Sequence, residues 1–272
     1  LLYRTLRLTN PAPYSAFIKI PGMAFLSSSP ECFFTLNNKQ EIKSEPIKGT
    51  RALGATEDLT DQIKQELLDS AKDHAELLMI IDLIRNDLSK VCEMGSVVVE
   101  EMVRLTEYPT VLQTSSLILG KLLNGKTAVD IIKEIFPGGS ITGAPKLRTM
   151  NIIDAHEDRA RGIYTGSIGY LSLDQAAEFN IAIRTMVYET ETNTLSFGSG
   201  GAILADSDPG AEFQEILVKA YALLRAANLA KFNAFEHLQL SSNELVKQQK
   251  IQGLQKSSKI QLENLFQLKT DS

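Results

Sequence analysis

The sequence predicts an α+β protein that contains two mainly antiparallel sheets. Short apolar runs separated by turn residues, as in antiparallel strands, occur in two distant parts of the chain, at 16–42 and 163–197. Long segments with apolar residues at helical spacing lie between and after them, at 58–90 and 209–228. With 272 residues, of which 43% are hydrophobic, the chain can bury one large core or two merged ones.

The first strands of residues 16–42 are separated at Pro21-Gly22, at residues 27–30 and at Asn37-Asn38, and Lys48 is expected to follow the last of them. Residues 1–9 already have helical spacing. The other expected elements are a helical region at 58–90, a strand at 97–103, helical stretches at 111–123 and 127–136, a helix opened by Pro145, a β-meander at 163–173, 179–188 and 194–197, and a last helix from Asp208-Pro209 to about 228.

The composition changes at residue 228. We assign residues 1–228 to one domain, in which Phe213, Ile216 and Leu217 begin the core face of the last helix. Residues 229–272 are rich in Gln, Asn, Ser and Lys, and we interpret them as a polar tail. The chain begins with Leu1 instead of methionine, so we expect an N-terminal region to be missing upstream.

The net charge, the apolar runs and the cysteines limit the possible partners and the cellular compartment. A net charge of -5, without a stripe of Lys and Arg, argues against nucleic acid as a partner. No apolar run approaches the roughly 20 residues that span a bilayer, and no signal segment precedes residue 10, so no membrane partner is expected. Cys32 and Cys92 form no CxxC pair, which fits a reducing compartment, and we expect a cytoplasmic protein.

Two pairs of acidic residues stand at i,i+3 on predicted helices, Asp73 with Glu76 and Glu212 with Glu215. This spacing projects both carboxylates of a pair from one helix face, and together the pairs offer the oxygen ligands that Mg²⁺ prefers. Such pairs are often only solvated helix faces. Zinc is a poor alternative, because the three histidines show no HExxH or Cys/His spacing.

Two small-residue loops and one arginine are further candidates. The loop that ends in Gly143-Ala144-Pro145-Lys146 fails the P-loop pattern, although a helix N-terminus after a flexible loop can still face an anion. The turn at Ser199-Gly200-Gly201-Ala202 allows close approach of backbone amides to a carboxylate, or is simply a tight turn. Arg184 lies among apolar residues on a predicted strand, where a buried guanidinium needs an anionic partner.

Four motifs then identify a family. They are Pro46-Ile47-Lys48-Gly49-Thr50, Ser29-Pro30-Glu31, the segment from Glu76 to Asp87, and the loop Gly139-Ser140-Ile141-Thr142-Gly143-Ala144-Pro145-Lys146. Together they resemble the chorismate-utilising enzymes, most closely the aminodeoxychorismate synthase component I branch, over residues 1–228. The resemblance implies a layered sandwich in which two sheets pack face to face with helices outside.

The resemblance also implies a site. Glu76 and Glu215 would ligate Mg²⁺, with Asp73 and Glu212 beside them, and Lys219 would lie near the Mg²⁺-bound carboxylate of chorismate. Further chorismate contacts are implied for the Gly49-Thr50 backbone, the Gly200–Ala202 amides, and the residues Thr142, Tyr164 and Arg184. Family members often have a histidine between residues 108 and 116, where this chain has none and offers Gln113.

The implied chemistry is amination of chorismate at C4. Glu31 would act as acid and base, and Lys48 as a nucleophile that adds at C2 before ammonia adds at C4. Similar anthranilate synthases have alanine in the Lys48 position and aminate C2. Ammonia would come from a separate glutamine amidotransferase subunit. The alternatives are anthranilate synthase component I and a non-catalytic fragment that only binds chorismate or the partner.

Overall fold

The structure is a computed structural model that describes residues 1–231 except 55, 108–110 and 206. The helices are α1 (Leu2–Thr9), α2 (Glu57–Asp69), α3 (Ala71–Ser89), α4 (Ala128–Ile135), α5 (Lys146–His156) and α6 (Pro209–Lys231), with a 3₁₀ turn at Gly139–Ile141. The strands are β1 (Tyr14–Ile20), β2 (Met23–Ser29), β3 (Cys32–Leu36), β4 (Glu41–Glu45), β5 (Ile47–Ala52), β6 (Val98–Glu107), β7 (Val111–Lys121), β8 (Ser167–Leu171), β9 (Ala177–Ile181), β10 (Thr185–Glu189) and β11 (Thr194–Phe197).

The strands form two antiparallel sheets. The smaller sheet has four strands in the order β1-β2-β10-β11. The larger sheet has seven strands in the order β5-β7-β4-β3-β9-β8, and β6 pairs with β7 outside this path. The predicted fold class, α+β with two mainly antiparallel sheets, is therefore confirmed.

The chain crosses between the two sheets at two neighbouring places. The first crossing is Pro30-Glu31, between β2 and β3, and the second is residues 182–184, between β9 and β10. Backbone hydrogen bonds join the crossings, from Ser28 N to the Arg184 carbonyl at 3.0 Å and from Ile181 N to the Glu31 carbonyl at 3.1 Å. Glu31 and Arg184 are thus held at the boundary between the sheets by the main chain itself.

Helices cover the outer faces of both sheets. On the larger sheet, the buried side chains of β3, β4, β7 and β9 pack against α3 and α4, with Phe34, Ile118 and Ile131 fully enclosed. On the smaller sheet, Leu6 of α1 and Leu223 of α6 pack against β2 and β10. The burial of these apolar faces is the main source of stability, because each large side chain removed from water contributes about 1.5–3 kcal/mol.

The layer between the sheets is polar. The hydroxyls of Ser27 and Thr185 are hydrogen-bonded at 2.8 Å, and Ser29 donates to the Ile181 carbonyl at 2.6 Å. Asn180 is buried on β9. Its side-chain Nδ2 donates to the Tyr14 carbonyl at 2.9 Å, and its side-chain Oδ1 accepts from Ile168 N at 3.0 Å. These bonds fix how the sheets meet, since buried polar groups are stable only when they are paired.

Most predicted elements are confirmed, but residues 111–123 are not helical. They form β7, which pairs with β4, β5 and β6 and is buried along almost its whole length. A strand that is buried on both faces does not need alternating polar and apolar residues. The sequence of β7 therefore lacks the strand period and predicts a helix instead.

Three other predictions are corrected. Lys48 lies within β5 instead of after the last strand of its sheet. The helical region at 58–90 is two helices, broken at Ser70, whose hydroxyl accepts from Asp73 N at 3.2 Å and caps α3. The run 179–188 is two strands in different sheets, so Arg184 lies in the connection between them and not on a strand.

The last helix begins after Asp208, as predicted, and Asp208 Oδ1 accepts from Ala211 N at 2.8 Å. Its core face is shifted, because Leu223 and Ala226 are buried while Phe213 is exposed. The expected tail begins at 229, but α6 continues to Lys231, and the rest of the tail, 232–272, lies outside the described residues. None of the helices that the structure describes is long and apolar enough to cross a membrane.

We predict that Asn180→Ala lowers the free energy of unfolding by about 2–4 kcal/mol, because it leaves the Tyr14 carbonyl and Ile168 N without their buried partner. Urea denaturation measures this change. Asn38→Ala in the exposed β3–β4 turn is the matched control and should change stability by less than about 0.5 kcal/mol. Equal effects of the two substitutions would contradict the role given to Asn180.

Candidate active site

Glu31 is a buried carboxyl at the first crossing between the sheets, where only 6% of the residue is exposed. Burial raises its pKa from 4.5 to about 7. The rise is limited by the neighbouring Ser140 side chain, the positive charge of Lys48, the backbone N–H of Ile47 and the more distant charge of Lys219. Glu31 can therefore exchange a proton near neutral pH, as a general acid and base must.

Lys48 projects from β5 toward α3. Its amine forms an ion pair with Glu76 at 3.4 Å, and only 17% of its side chain is exposed. The Thr114 hydroxyl on β7 donates to the Lys48 carbonyl, which fixes the backbone from the neighbouring strand. The lysine is thus held between two carboxyl groups, Glu76 in direct contact and Glu31 close enough for their charges to interact.

Position 49 of β5 requires glycine. Its φ is +74°, and a Cβ there would lie 2.7 Å from Thr114 Oγ1 and 3.3 Å from the Asp73 carboxyl carbon. Next to it, Thr50 Oγ1 accepts from Gln113 Nε2 at 3.3 Å. Gln113 is buried, and this bond joins it to the side chain of a residue whose backbone is a predicted chorismate contact.

The predicted metal ligands each have a partner within the chain. Asp73 pairs with Arg51 at 3.0 Å, and Glu215 pairs with Lys219 at 2.6 Å. Glu212 is buried and accepts from the Ser207 hydroxyl at 2.6 Å. Within the described part of the chain, no group of three or more His, Cys, Asp or Glu side chains could hold a metal. The assignment of Glu76 and Glu215 to Mg²⁺ stays a prediction.

The glycine turn after β11 packs against Tyr164. A Cβ at Gly198 would lie 2.2 Å from the Tyr164 ring, and one at Gly200 would lie 2.8 Å from the Tyr164 hydroxyl oxygen. A Cβ at Gly201 would lie 3.2 Å from Glu212 Oε2. Lys219 Nζ donates to the Gly200 carbonyl at 3.3 Å. The glycine turn, Tyr164 and the first turns of α6 therefore form one wall of the candidate active site.

Arg184 has a left-handed backbone, with φ +49°, and is partly buried. Burial lowers the pKa of Arg184, because withdrawal from water disfavours the charged guanidinium. It donates to Asn10 Oδ1 at 3.4 Å, and no carboxylate of the described residues forms a salt bridge with it. A buried cation of this kind can receive an anionic ligand.

Thr142 lies in the loop before α5, and its hydroxyl donates to the Gly138 carbonyl at 2.9 Å. The Thr142 N–H also donates to the Gly139 carbonyl at 3.3 Å, so both donors of this residue close the 3₁₀ turn. The structure thus brings together Glu31, Lys48 and Glu76, and links them to Lys219 and the glycine turn. Sequence reasoning missed Asn10, which no motif contains, and it gave Ser140 no role although this residue lies within the motif that begins at Gly139.

Comparisons with known proteins identify the family of the chain. A family model described as chorismate binding enzyme matches residues 1–225. The chain belongs to this family. It is 46% identical over 228 residues to an aminodeoxychorismate synthase of Streptomyces griseus, covering 84% of this chain and 31% of that protein. It is also 46% identical over 228 residues to an anthranilate synthase component 1 of Haloarcula marismortui, covering 84% of this chain and 46% of that protein.

A solved structure of an anthranilate synthase component I has the same fold as this chain. Anthranilate synthase component I of Streptococcus pneumoniae superposes with a TM-score of 0.72 at 34% identity, covering 82% of this chain and 48% of that one. The chain therefore spans about a third to a half of the length of these relatives. The resemblance inferred from the motifs is confirmed at the level of the chorismate-utilising family.

The raised pKa of Glu31 predicts a pH-dependent effect on stability. The folded protein holds the Glu31 proton more tightly than the unfolded chain, so ionisation costs stability as pH rises from 4.5 to about 7. Glu31→Gln removes this cost. Urea denaturation should find the variant more stable than the unchanged chain at pH 8, by up to about 3 kcal/mol, and close to it near pH 4.

The matched control is Glu134→Gln, which changes an exposed glutamate on α4 and should alter stability little at either pH. If Glu31→Gln changed stability equally at pH 4 and pH 8, the carboxyl would not titrate in this range and its acid role would be wrong.

Proposed function

We propose that the chain aminates chorismate at C4 to give 4-amino-4-deoxychorismate, the reaction of aminodeoxychorismate synthase component I in 4-aminobenzoate and folate synthesis. The observation that carries the proposal is the pairing of a lysine amine and a titratable buried carboxyl. Lys48 and Glu31 interact electrostatically, and burial brings the pKa of Glu31 to about 7. A nucleophile and a proton donor are the two groups that displacement of a ring hydroxyl requires.

The substrate is a dicarboxylate, and the site offers separate anchors. Arg184 would bind one carboxylate together with the backbone of Gly200, Gly201 and Ala202, because its charge has no carboxylate partner among the described residues. Tyr164 would lie against the ring from the wall it shares with this turn. Gly49, Thr50 and Thr142 would contribute contacts on the opposite side.

Mg²⁺ would be held on the remaining side. Glu76 and Glu215 offer carboxylate oxygens, with Asp73 and Glu212 one turn away on the same helices. Mg²⁺ is often held by one or two carboxylates together with oxygens of the substrate, so a larger cluster is not required. When bound, the metal would neutralise and orient the second carboxylate of chorismate, near Lys219.

The first step forms a covalent adduct. The Lys48 amine, once it has given the proton of its ion pair with Glu76 to solvent, attacks C2, the ring double bonds shift, and the C4–O bond breaks. Glu31 gives its proton to the departing oxygen, which leaves as water, so that the chain ends this step with an ionised Glu31 and a C2-bound ammonium. Hydroxide is a poor leaving group, and Glu31 is suited to supply the proton because burial keeps a large fraction of it protonated at neutral pH.

The second step releases the lysine. Ammonia attacks C4, the double bonds shift back, and the bond from C2 to the Lys48 nitrogen breaks with its electron pair on the nitrogen. The Glu31 carboxylate takes a proton from the new C4 ammonium. Lys48 takes its proton back from solvent, so that Lys48 and Glu31 return to their starting forms, and the net reaction exchanges a hydroxyl for an amino group.

The proposed nitrogen source is a separate glutamine amidotransferase subunit that delivers ammonia. A cytoplasmic setting is part of the proposal, since Cys32 and Cys92 are both free and buried. Anthranilate synthase component I is the second candidate, because the Haloarcula marismortui relative is as similar in sequence as the Streptomyces griseus one. Lys48 favours the C4 reaction, since the resemblance drawn from the motifs implies alanine at this position in anthranilate synthases.

Product identification tests the proposal. We predict that the chain, with chorismate, Mg²⁺ and ammonium, forms an amino-substituted ring that retains its enolpyruvyl group. Lys48→Ala should lower this rate by at least about 100-fold, because it removes the nucleophile. Lys19→Ala, at an exposed lysine of β1, is the matched control and should leave the rate unchanged.

Mass spectrometry of the quenched mixtures distinguishes the outcomes. Anthranilate with pyruvate would contradict amination at C4. Binding of chorismate without any turnover would indicate a chain that binds the substrate but lacks the activity by itself.

A second test concerns the anchor for the carboxylate. Arg184→Met should weaken chorismate binding by about 100-fold with little loss of folding stability, because within the described residues the guanidinium forms no salt bridge and only a 3.4 Å hydrogen bond to Asn10. Isothermal titration calorimetry measures the binding, and Arg4→Met on the exposed face of α1 is the control. Unchanged binding in Arg184→Met would show that the chorismate carboxylates are held elsewhere.

A further inference from the structure

A buried ion pair outside the proposed chemistry joins α3 to α5. The Lys146 amine donates to Asp87 Oδ2, and the two side chains are only 14% and 5% exposed. Asp87 Oδ1 also accepts from Lys90 at 3.0 Å on the outer side of α3. The proposed mechanism uses none of these three residues.

Lys146 also closes the loop that precedes it. Its amine donates to the Ile135 carbonyl at 2.9 Å and to the Pro137 carbonyl at 2.7 Å, at the end of α4. One side chain thus joins the start of the loop to its end, and both to α3. Removing the lysine would leave the Asp87 carboxylate and two carbonyls without this donor, which is strongly unfavourable in a buried setting.

The middle of the loop is closely packed. A Cβ at Gly138 would lie 2.6 Å from Ile181 Cδ1, and one at Gly139 would lie 2.9 Å from Leu83 Cδ2. These contacts set the loop against α3 on one side and the end of β9 on the other. Ser140 follows directly, and its position is therefore fixed by its neighbours.

Ser140 connects this loop to the proposed acid. Its side chain lies beside the Glu31 carboxyl and holds the pKa of that carboxyl lower than burial alone would set it. Glu31, Ser140 and Asp87 all line one small cavity of about 20 Å³ between α3, β3 and the loop. The contacts therefore run without a gap from Asp87 through Lys146 and the loop to Ser140 and Glu31.

We propose that Asp87, Lys146 and Ser140 are positioning residues for Glu31. The ion pair holds the loop on α3, and the loop holds the Ser140 hydroxyl against the carboxyl, so that Glu31 faces the departing oxygen. This inference rests on the proposed function for its catalytic meaning, but the positioning itself can be measured without substrate.

Other groups also face Glu31 and must be kept constant in the test. Lys48 lies on β5 and Lys219 on α6, the backbone N–H of Ile47 donates to the carboxyl, and Asp87 on α3 lines the same cavity. None of them is changed by substitutions at Ser140. Ser140→Ala deletes the hydroxyl alone, and Ser140→Thr keeps it.

The experiment uses the full 272-residue chain and two readouts that need no turnover. The first is titration of the Glu31 carboxyl by ¹³C NMR with labelled glutamate, assigned by comparison with Glu31→Gln. The second is hydrogen exchange of the amides of residues 138–144, followed by mass spectrometry. The variants are Ser140→Ala, Ser140→Thr and Lys146→Met, and Lys90→Met is the matched control because it removes the outer partner of the same aspartate.

Ser140→Ala should raise the titration midpoint of Glu31 by about one pH unit, because the lost hydroxyl favours the ionised form, and Ser140→Thr should restore it. Lys146→Met should speed exchange of the loop by about tenfold or more and move the midpoint in the same direction. Lys90→Met should change neither the titration midpoint nor the exchange rate.

In turnover, Ser140→Ala should lower kcat about tenfold with little change in KM, since Ser140 makes no proposed contact with substrate.

An unchanged midpoint in Ser140→Ala, or full protection of the loop in Lys146→Met, would overturn the proposal. If Lys146→Met does not fold, the comparison of Ser140→Ala with Ser140→Thr decides alone. If the unchanged chain forms no aminated product while both readouts respond as expected, the positioning is supported and the proposed function fails separately.

Discussion

The burial of one carboxyl group at the junction of two sheets is the constraint on which the site depends. Glu31 stands where the chain leaves the smaller sheet for the larger one, and a charge is costly there because water is excluded. The groups that offset this cost come from three separate parts of the fold: Lys48 on β5, Lys219 on α6 and Ser140 in the loop before α5. Their balance leaves the pKa of Glu31 at about 7, so the fold as a whole sets the proton affinity of this residue.

A second consequence of the layered fold is the distribution of charge around the site. Lys48, Arg51 and Lys219 each have a carboxylate partner from a helix, namely Glu76, Asp73 and Glu215. Arg184 has none among the described residues, and the second crossing between the sheets holds it in a left-handed conformation beside Asn10. A site with balanced cations and one unbalanced guanidinium is suited to a ligand that brings its own negative charge. An anionic ligand agrees with membership of the chorismate binding enzyme family.

Much of this could be predicted from the sequence, and the exceptions have physical reasons. Turn residues and period-2 or period-3.6 patterns found most elements, whereas β7 is buried along almost its whole length and its pattern lacks the strand period. Motifs located Glu31, Lys48 and Gly49 because their roles depend on residue type at fixed spacing. The roles of Ser140 and Asn10 escaped notice, since their importance comes from tertiary contacts with Glu31 and Arg184 that no local pattern records. For the same reason, the Lys146 motif gave no indication that its amine joins Asp87 to both ends of a loop.

The most direct test of the account is to look for the covalent bond between Lys48 and the substrate. The chain is mixed with chorismate and Mg²⁺ in the absence of ammonia, quenched rapidly and digested, and its peptides are weighed. We predict an adduct on the peptide that contains Lys48, with a mass increase of one chorismate less one water, and strong loss of the adduct in Glu31→Gln. An aminated product formed on addition of ammonia, without any adduct at Lys48 at any time of quenching, would contradict nucleophilic catalysis by this lysine.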